Sequence, residues 1–381
     1  MNGPCVNIPG SDFAEPLLSV PLRGAAWYPL RPGLPRNRGL WLQPAPAEWR
    51  TLRLWRIVGM IVQGVIFGLL AAACQSLCYV FSRIFVTRSN NTSLGLFALS
   101  HAIMGLFAVA LLPFCWTGQV YDVRSYVWPL AGSVVFYLMG QVCLFQAVKL
   151  TDASRVSPLL GLKILVLALI TVLAFDEPLT RLQWIGVILS IAAAAGLNWS
   201  GGGRIPLNAS AAILGACIFY SLSDLSIVAL TKALSADGGF RGILLSNALA
   251  YTFAGVVGFA LVAVNGPEHR TRAQWRDALP VAVTWFLAMI FLFVCFRLLG
   301  AVFGNIVQSM RGPLSILIGG AIAYAGHAHL EQKLGLWTFV RRLAAAILMC
   351  AAIAIFVHEK ARLETAPSTS PKTSQIPHPD D

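Results

Sequence analysis

Long apolar runs, interrupted by short polar or glycine-rich links, set the first pattern along the chain. Ten such runs occur, at about 57–82, 94–116, 126–148, 153–175, 182–199, 208–232, 242–264, 277–299, 301–325 and 335–357. Each is near the roughly 20 apolar residues that a helix needs to cross a hydrocarbon layer about 30 Å thick. Backbone polar groups in such a layer must be satisfied within the segment, so the runs predict helices. The links include TRSNNTS at 87–93, SGGGR at 200–204 and NGPEHRTRAQ at 265–274. The fold class expected is therefore an all-α membrane protein with ten transmembrane helices.

The two ends differ from this pattern. Residues 1–55 carry six arginines among many Pro and Gly and predict a disordered cytoplasmic arm. A start at Met60 is a second expectation for this end, and no signal-peptide order precedes the first run. Residues 359–381, ending in a Pro- and Ser-rich stretch, predict a disordered cytoplasmic tail. An arginine-rich arm followed by TLRLWR (51–56) favours a cytoplasmic N-terminus, and ten crossings return the C-terminus to the same side. Arg270, Arg272 and Arg276 would then lie outside, against the charge rule. The expected location is the plasma (inner) membrane.

Composition changes the picture by exclusion. The chain is 57% hydrophobic and 12% charged, with a mean hydropathy of +0.71, and soluble domains carry about twice that share of charge. A formal net charge of +12 would suggest nucleic acid in a soluble protein. Here the basic residues are spread over links and tails, so anionic lipid is the expected partner and nucleic acid is not. Seven of the eight cysteines lie in apolar runs and read as small packing residues. No metal-type CxxC pair or cofactor loop occurs, so neither metal nor cofactor is expected. His327, His329 and Glu331 share a loop and read as interfacial polar residues.

The chain also repeats itself. Shifted by 150 positions, SPLLGLKILVLALITVLAF (157–175) falls opposite VQSMRGPLSILIGGAIAYA (307–325). Each segment is followed by a Trp, Trp184 or Trp337, and an Ala-rich helix. GLLAAACQSLCYVFSR (68–83) likewise parallels ILGACIFYSLSDLSIV (213–228). The halves, 56–199 and 200–358, therefore read as two five-helix repeats. Five crossings is odd, so the repeats must be inverted, with a binding site near the midplane between them.

The segment 153–197 resembles the end of an EamA domain of the drug/metabolite transporter superfamily. The residues that carry the resemblance are Asp176–Glu177, the stretch Pro178–Leu182 and Gln183–Gly186 opening an Ala/Gly-rich helix. HLEQKLGLWTFVRRLAAAILM (329–349) keeps Glu331 and Trp337 but lacks the Gly after the Trp and adds Arg341–Arg342. The resemblance covers about 56–358. It implies a ten-helix carrier in which helices five and ten are peripheral and helices one, three, four, six, eight and nine line the pathway. The small multidrug-resistance branch uses a glutamate in its first helix, and 57–82 holds no Asp or Glu, so that mechanism is not expected here.

Ionisable groups inside spanning helices are costly and usually face a cavity or a partner. Lys163 lies about eight residues in from Arg155, roughly 12 Å at 1.5 Å per residue, too deep to reach an interface easily. Under the shift, Arg311 falls two residues from the Lys163 position. Two cations at one depth would attract an anion, and the plant plastid phosphate translocators similarly carry basic residues on helices four and nine. An internal ion pair is the other reading of Lys163. Asp224, among Tyr220 and Ser221, is a candidate proton carrier or counter-ion of Lys163, with a place near the cytoplasmic interface as the third reading. Ser133, Tyr137 and Gln141 form a polar stripe at i, i+4 and i+8, and Gln75 with Tyr79 forms a weaker one. Asn305 and Gln308 extend the Arg311 face, and Asn247 reads as structural. The substrate-binding set expected is thus Lys163, Arg311, Tyr137, Gln141, Asn305, Gln308 and Gln75, with Asp224 for coupling.

No Ser/His/Asp, HExxH or paired-carboxylate constellation occurs, so an enzyme is not expected. The function expected is secondary active transport of a small polar metabolite, with an anion favoured, by alternating access with proton coupling or exchange. A non-transporting scaffold or receptor on the same fold, or drug efflux, is the alternative. A homodimer is compatible with the sequence.

Overall fold

The computed structural model describes residues 47–89, 92–116, 118–150, 159–175, 178–198, 206–235, 239–264, 271–324 and 336–365. Among these residues every regular element is a helix. In chain order they are α1 (Ala47–Ser89), α2 (Ser93–Cys115), α3 (Val123–Leu150), α4 (Lys163–Phe175), α5 (Arg181–Asn198), α6 (Leu207–Leu234), α7 (Phe240–Val264), α8 (Arg272–Leu299), α9 (Ala301–Gln308), α10 (Arg311–Tyr324) and α11 (Leu336–Thr365).

Seven of them are long and apolar enough to cross a membrane: α1 to α3, α6 to α8, and α11. The other predicted runs differ in an informative way. The fourth is broken by a turn at Gly161–Leu162, after which Lys163 opens α4. The ninth is broken by a turn at Ser309–Met310, after which Arg311 opens α10. The fifth, α5, is a full helix but only 18 residues long.

Both ends correct the sequence reading. Helix α1 begins at Ala47, so residues 47–55 are helical and not part of a disordered arm. Trp49, Leu52 and Trp55 recur at helical spacing, a period masked by the arginines between them. Helix α11 likewise continues through Thr365, so residues 359–365 are helical and not tail. EKARLE (359–364) consists of good helix formers, and Glu359 pairs with Arg362 at 3.6 Å. Residues 1–46 and 366–381, SGGGR and the His327–Glu331 loop lie outside the described residues.

Four helix pairs dominate the packing: α3 with α6, α2 with α7, α1 with α8, and α5 with α11. Between membrane helices there is no water to exclude, so close approach through small residues holds them. At the α2–α7 crossing the backbones touch at Gly105 and Gly255: a Cβ on Gly105 would lie 2.6 Å from the Gly255 Cα. Gly64 and Gly68 of α1 admit Leu299 and Val307 in the same manner, and Gly140 of α3 admits Tyr220. Helix starts carry local signals. Thr271 and Gln274 form a capping box at α8, and Thr92 caps α2. Large apolar side chains stay exposed along the outer faces, including Leu106, Trp128, Val142, Ile188 and Val256. That arrangement suits lipid as the solvent. The cysteines among the described residues are unpaired, as expected.

Candidate functional site

The long helices enclose a cavity of about 750 Å³. Its mouth lies at the C-terminal ends of α1 and α3 and the N-terminal end of α2, where Arg83, Thr87, Ser93 and Val148 line it. Its floor reaches Met289 and Phe293 of α8, with Gln308 and Arg311 beside them. Beyond the cavity, charged groups tie the C-terminal ends of α6 and α8. Arg297 Nε donates to Ser235 Oγ at 2.9 Å where α6 ends. Lys360 Nζ donates to the carbonyls of Leu298 and Leu299 at 3.2 and 3.0 Å, at the negative end of the α8 dipole.

The two breaks place the two cations. In the fourth run, Gly161–Leu162 unwinds the chain and Lys163 follows; in the ninth, Ser309–Met310 unwinds it and Arg311 follows. Each break is held by a serine from a helix of the other half. Ser76 Oγ of α1 shares its hydrogen between the Ala72 carbonyl at 2.8 Å and the Arg311 carbonyl at 3.0 Å, and Ser221 Oγ of α6 shares its own between the Cys217 carbonyl at 2.7 Å and the Lys163 carbonyl at 3.3 Å. Ser76 and Ser221 occupy matching positions in the parallel stretches 68–83 and 213–228. Both cations line the cavity.

Their partners differ. Lys163 Nζ lies 2.6 Å from Asp224 Oδ2, with side-chain exposures of 18% and 9%. Asn305 Nδ2 donates to the same oxygen at 2.6 Å, and the Lys163 ammonium sits 5.7 Å from the Tyr220 ring centroid. Arg311 Nη1 has a longer contact of 3.4 Å to Gln75 Oε1. Asp224 therefore occupies the counter-ion place that was one of its three sequence readings.

Tyr137, Gln141, Gln75 and Gln308 line the cavity as expected. Asn305 does not; it stands behind Asp224 and fixes that carboxylate, so it is a positioning residue and not a wall residue. Ser133 and Tyr79 also line the cavity. Asn247 is fully buried in α7 with neither amide atom bonded among the described residues, and nothing in the structure explains it.

Sequence reasoning missed His101. Its Nδ1 lies 2.8 Å from the Phe97 carbonyl and its Nε2 3.0 Å from the Tyr137 hydroxyl. A carbonyl only accepts, so Nδ1 carries the hydrogen and Nε2 faces the tyrosine. The argument applied to Lys163, an ionisable group inside an apolar run, applies equally to His101 and would have found it. Helices α2 and α7 also line the cavity, through His101 and Tyr251, beyond the set implied by the resemblance. Helices α5 and α11 contribute no lining residue and pack on each other, as that resemblance implies.

The arrangement is a multi-pass integral membrane protein with a polar, charged cavity among its helices. Residues 62–199 match the model of the EamA-like transporter family, so that part of the chain is similar to a domain of the drug/metabolite transporter type. No curated protein is significantly similar in sequence. Among solved structures that match significantly, one described as "Crystal structure of protein" is similar at a TM-score of 0.57 and 14% identity, over 80% of this chain and 99% of that one. At that identity the likeness concerns the fold alone.

Proposed function

We propose that the chain moves a small polar, anionic metabolite across the plasma (inner) membrane by alternating access between two inverted five-helix repeats, 56–199 and 200–358, with both termini cytoplasmic. The observation that carries this reading is the pair of cations, Lys163 and Arg311, each opening a helix just after a break on the wall of one cavity. Interrupted helices at a repeat interface are where transporters bind substrate.

Three further features support the repeat. Exchanging each helix of one half for its counterpart in the other leaves the packing pairs unchanged: α1 with α8 becomes α6 with α3, and α2 with α7 becomes itself. Gly105 and Gly255 are related by the shift of 150 and touch each other, as residues on a two-fold axis do. The serine contacts to the two breaks cross over in the same way. Alternating access is supported by a cavity whose lining runs to one end of α1, α2 and α3, while Arg297–Ser235 and Lys360 tie the C-terminal ends of α6 and α8. With the proposed orientation the mouth faces away from the cytoplasm. Asp224 is the proposed coupling group, since its proton would decide whether Lys163 is neutralised.

Flux in liposomes of purified protein tests the reading. Lys163→Ala and Arg311→Ala are expected to abolish anion uptake, while Asp224→Asn removes the response to an imposed pH gradient. Unchanged flux in both cation variants would overturn the paired-cation site, and ligand binding without any flux would favour a receptor.

A further inference from the structure

Resting on the reading of this cavity as the substrate site, the balance of charge within it narrows the substrate class. Lys163 is neutralised by the protein, through Asp224 at 2.6 Å and Asn305 behind it. Among the described lining residues Asp224 is the only carboxylate. Arg311 has a neutral neighbour, Gln75, at 3.4 Å. Among the described residues the floor of the cavity thus carries one positive charge without a carboxylate partner, and Arg83 stands apart at the mouth.

Gln308 lies one turn from Arg311 across the helix break and lines the same wall. It is 5% exposed, and its side-chain amide bonds to no described group. Its place on the cavity wall leaves that amide open to a ligand. A guanidinium and an amide N–H side by side match the two oxygens of a carboxylate. The remaining wall is largely aromatic: Phe97, Tyr137, Tyr220, Trp285 and Phe293. Tyr137 and Tyr220 lie 6.3 Å apart between centroids. About 750 Å³ lies within the roughly 300–1,000 Å³ of small-molecule sites.

The geometry points to an organic monoanion as the ligand: one carboxylate held by Arg311 and Gln308, with an aromatic body against the Tyr137–Tyr220 wall. A dianionic phosphate would leave a charge uncompensated in an apolar cavity unless it broke the Lys163–Asp224 pair, which would strand a buried carboxylate.

Purified full-length protein in nanodiscs, titrated calorimetrically at neutral pH, tests this with four probes: 3-phenylpropionate, its neutral amide, inorganic phosphate and phenyl phosphate. Phenylpropionate is expected to bind tightest and the amide not to bind. Arg311→Gln weakens phenylpropionate binding roughly tenfold to a hundredfold, the size of a charge-assisted contact. Arg311→Lys, which keeps the charge if the first variant does not fold, weakens it less. Gln308→Leu weakens it by about tenfold or less. Tighter binding of either phosphate would overturn the monoanion and leave the anion-transport reading standing. Tightest binding of the amide would overturn both. Phenylpropionate that binds but does not cross liposomes would overturn transport and leave the site assignment intact. Absence of binding by all four probes would overturn the assignment.

Discussion

Lys163 and Arg311 stand at matching places in the fourth and ninth runs, yet their surroundings divide them. Both follow a broken turn, both have their carbonyl held by a serine from the other half, and both line the cavity. Lys163 meets Asp224 at 2.6 Å, whereas Arg311 meets only the amide of Gln75 at 3.4 Å. The break and the serine contact are shared and the electrostatics are not. Similar local frameworks thus carry different surroundings: one cation tied to a carboxylate, the other facing the cavity beside a neutral amide.

Breaking the tied cation should cost most. Asp224→Ala leaves Lys163 buried without a partner and should lower unfolding stability by about 3 kcal/mol, the low end for a broken buried pair because the lysine keeps some exposure. Arg311→Ala should change stability by less than about 1 kcal/mol; denaturant titration in detergent compares the two. Equal losses would erase the difference between the helices. Where the halves are equivalent, equivalent losses follow. Gly105→Ala and Gly255→Ala each force the α2 and α7 backbones apart, at about 1–3 kcal/mol each, read by the same titration; a large disparity would count against an axis between them. Asn305→Ala removes one donor to Asp224 and should cost about 1.5 kcal/mol, with its effect absent in an Asp224→Ala background. Smallest of all, Lys360→Met removes a cation from the end of α8 and should cost about 0.5–1 kcal/mol.

The resemblance of 153–197 to an EamA domain was legible and is matched by the family model at 62–199. Cavity residues Tyr137, Gln141 and Gln75 were legible because a polar stripe on an apolar helix has few other places to go. Asn305 was misassigned because spacing along one helix places it on the Arg311 face, whereas a carboxylate 81 positions away takes up its amide. The helical ends at 47–55 and 359–365 were misread because charge and irregular composition hid a helical period.

By itself the sequence determined that this chain is a bundle of membrane helices and that a lysine and an arginine lie within its apolar runs. Those conclusions need only the cost of an unsatisfied backbone or charge in hydrocarbon, a property of each segment alone. Tertiary structure decided where the two runs break, that Gly105 meets Gly255, that His101 reaches Tyr137, and which cation Asp224 neutralises. Those depend on distances between segments far apart in the chain, and an ion pair falls off with distance in a way that no periodicity records.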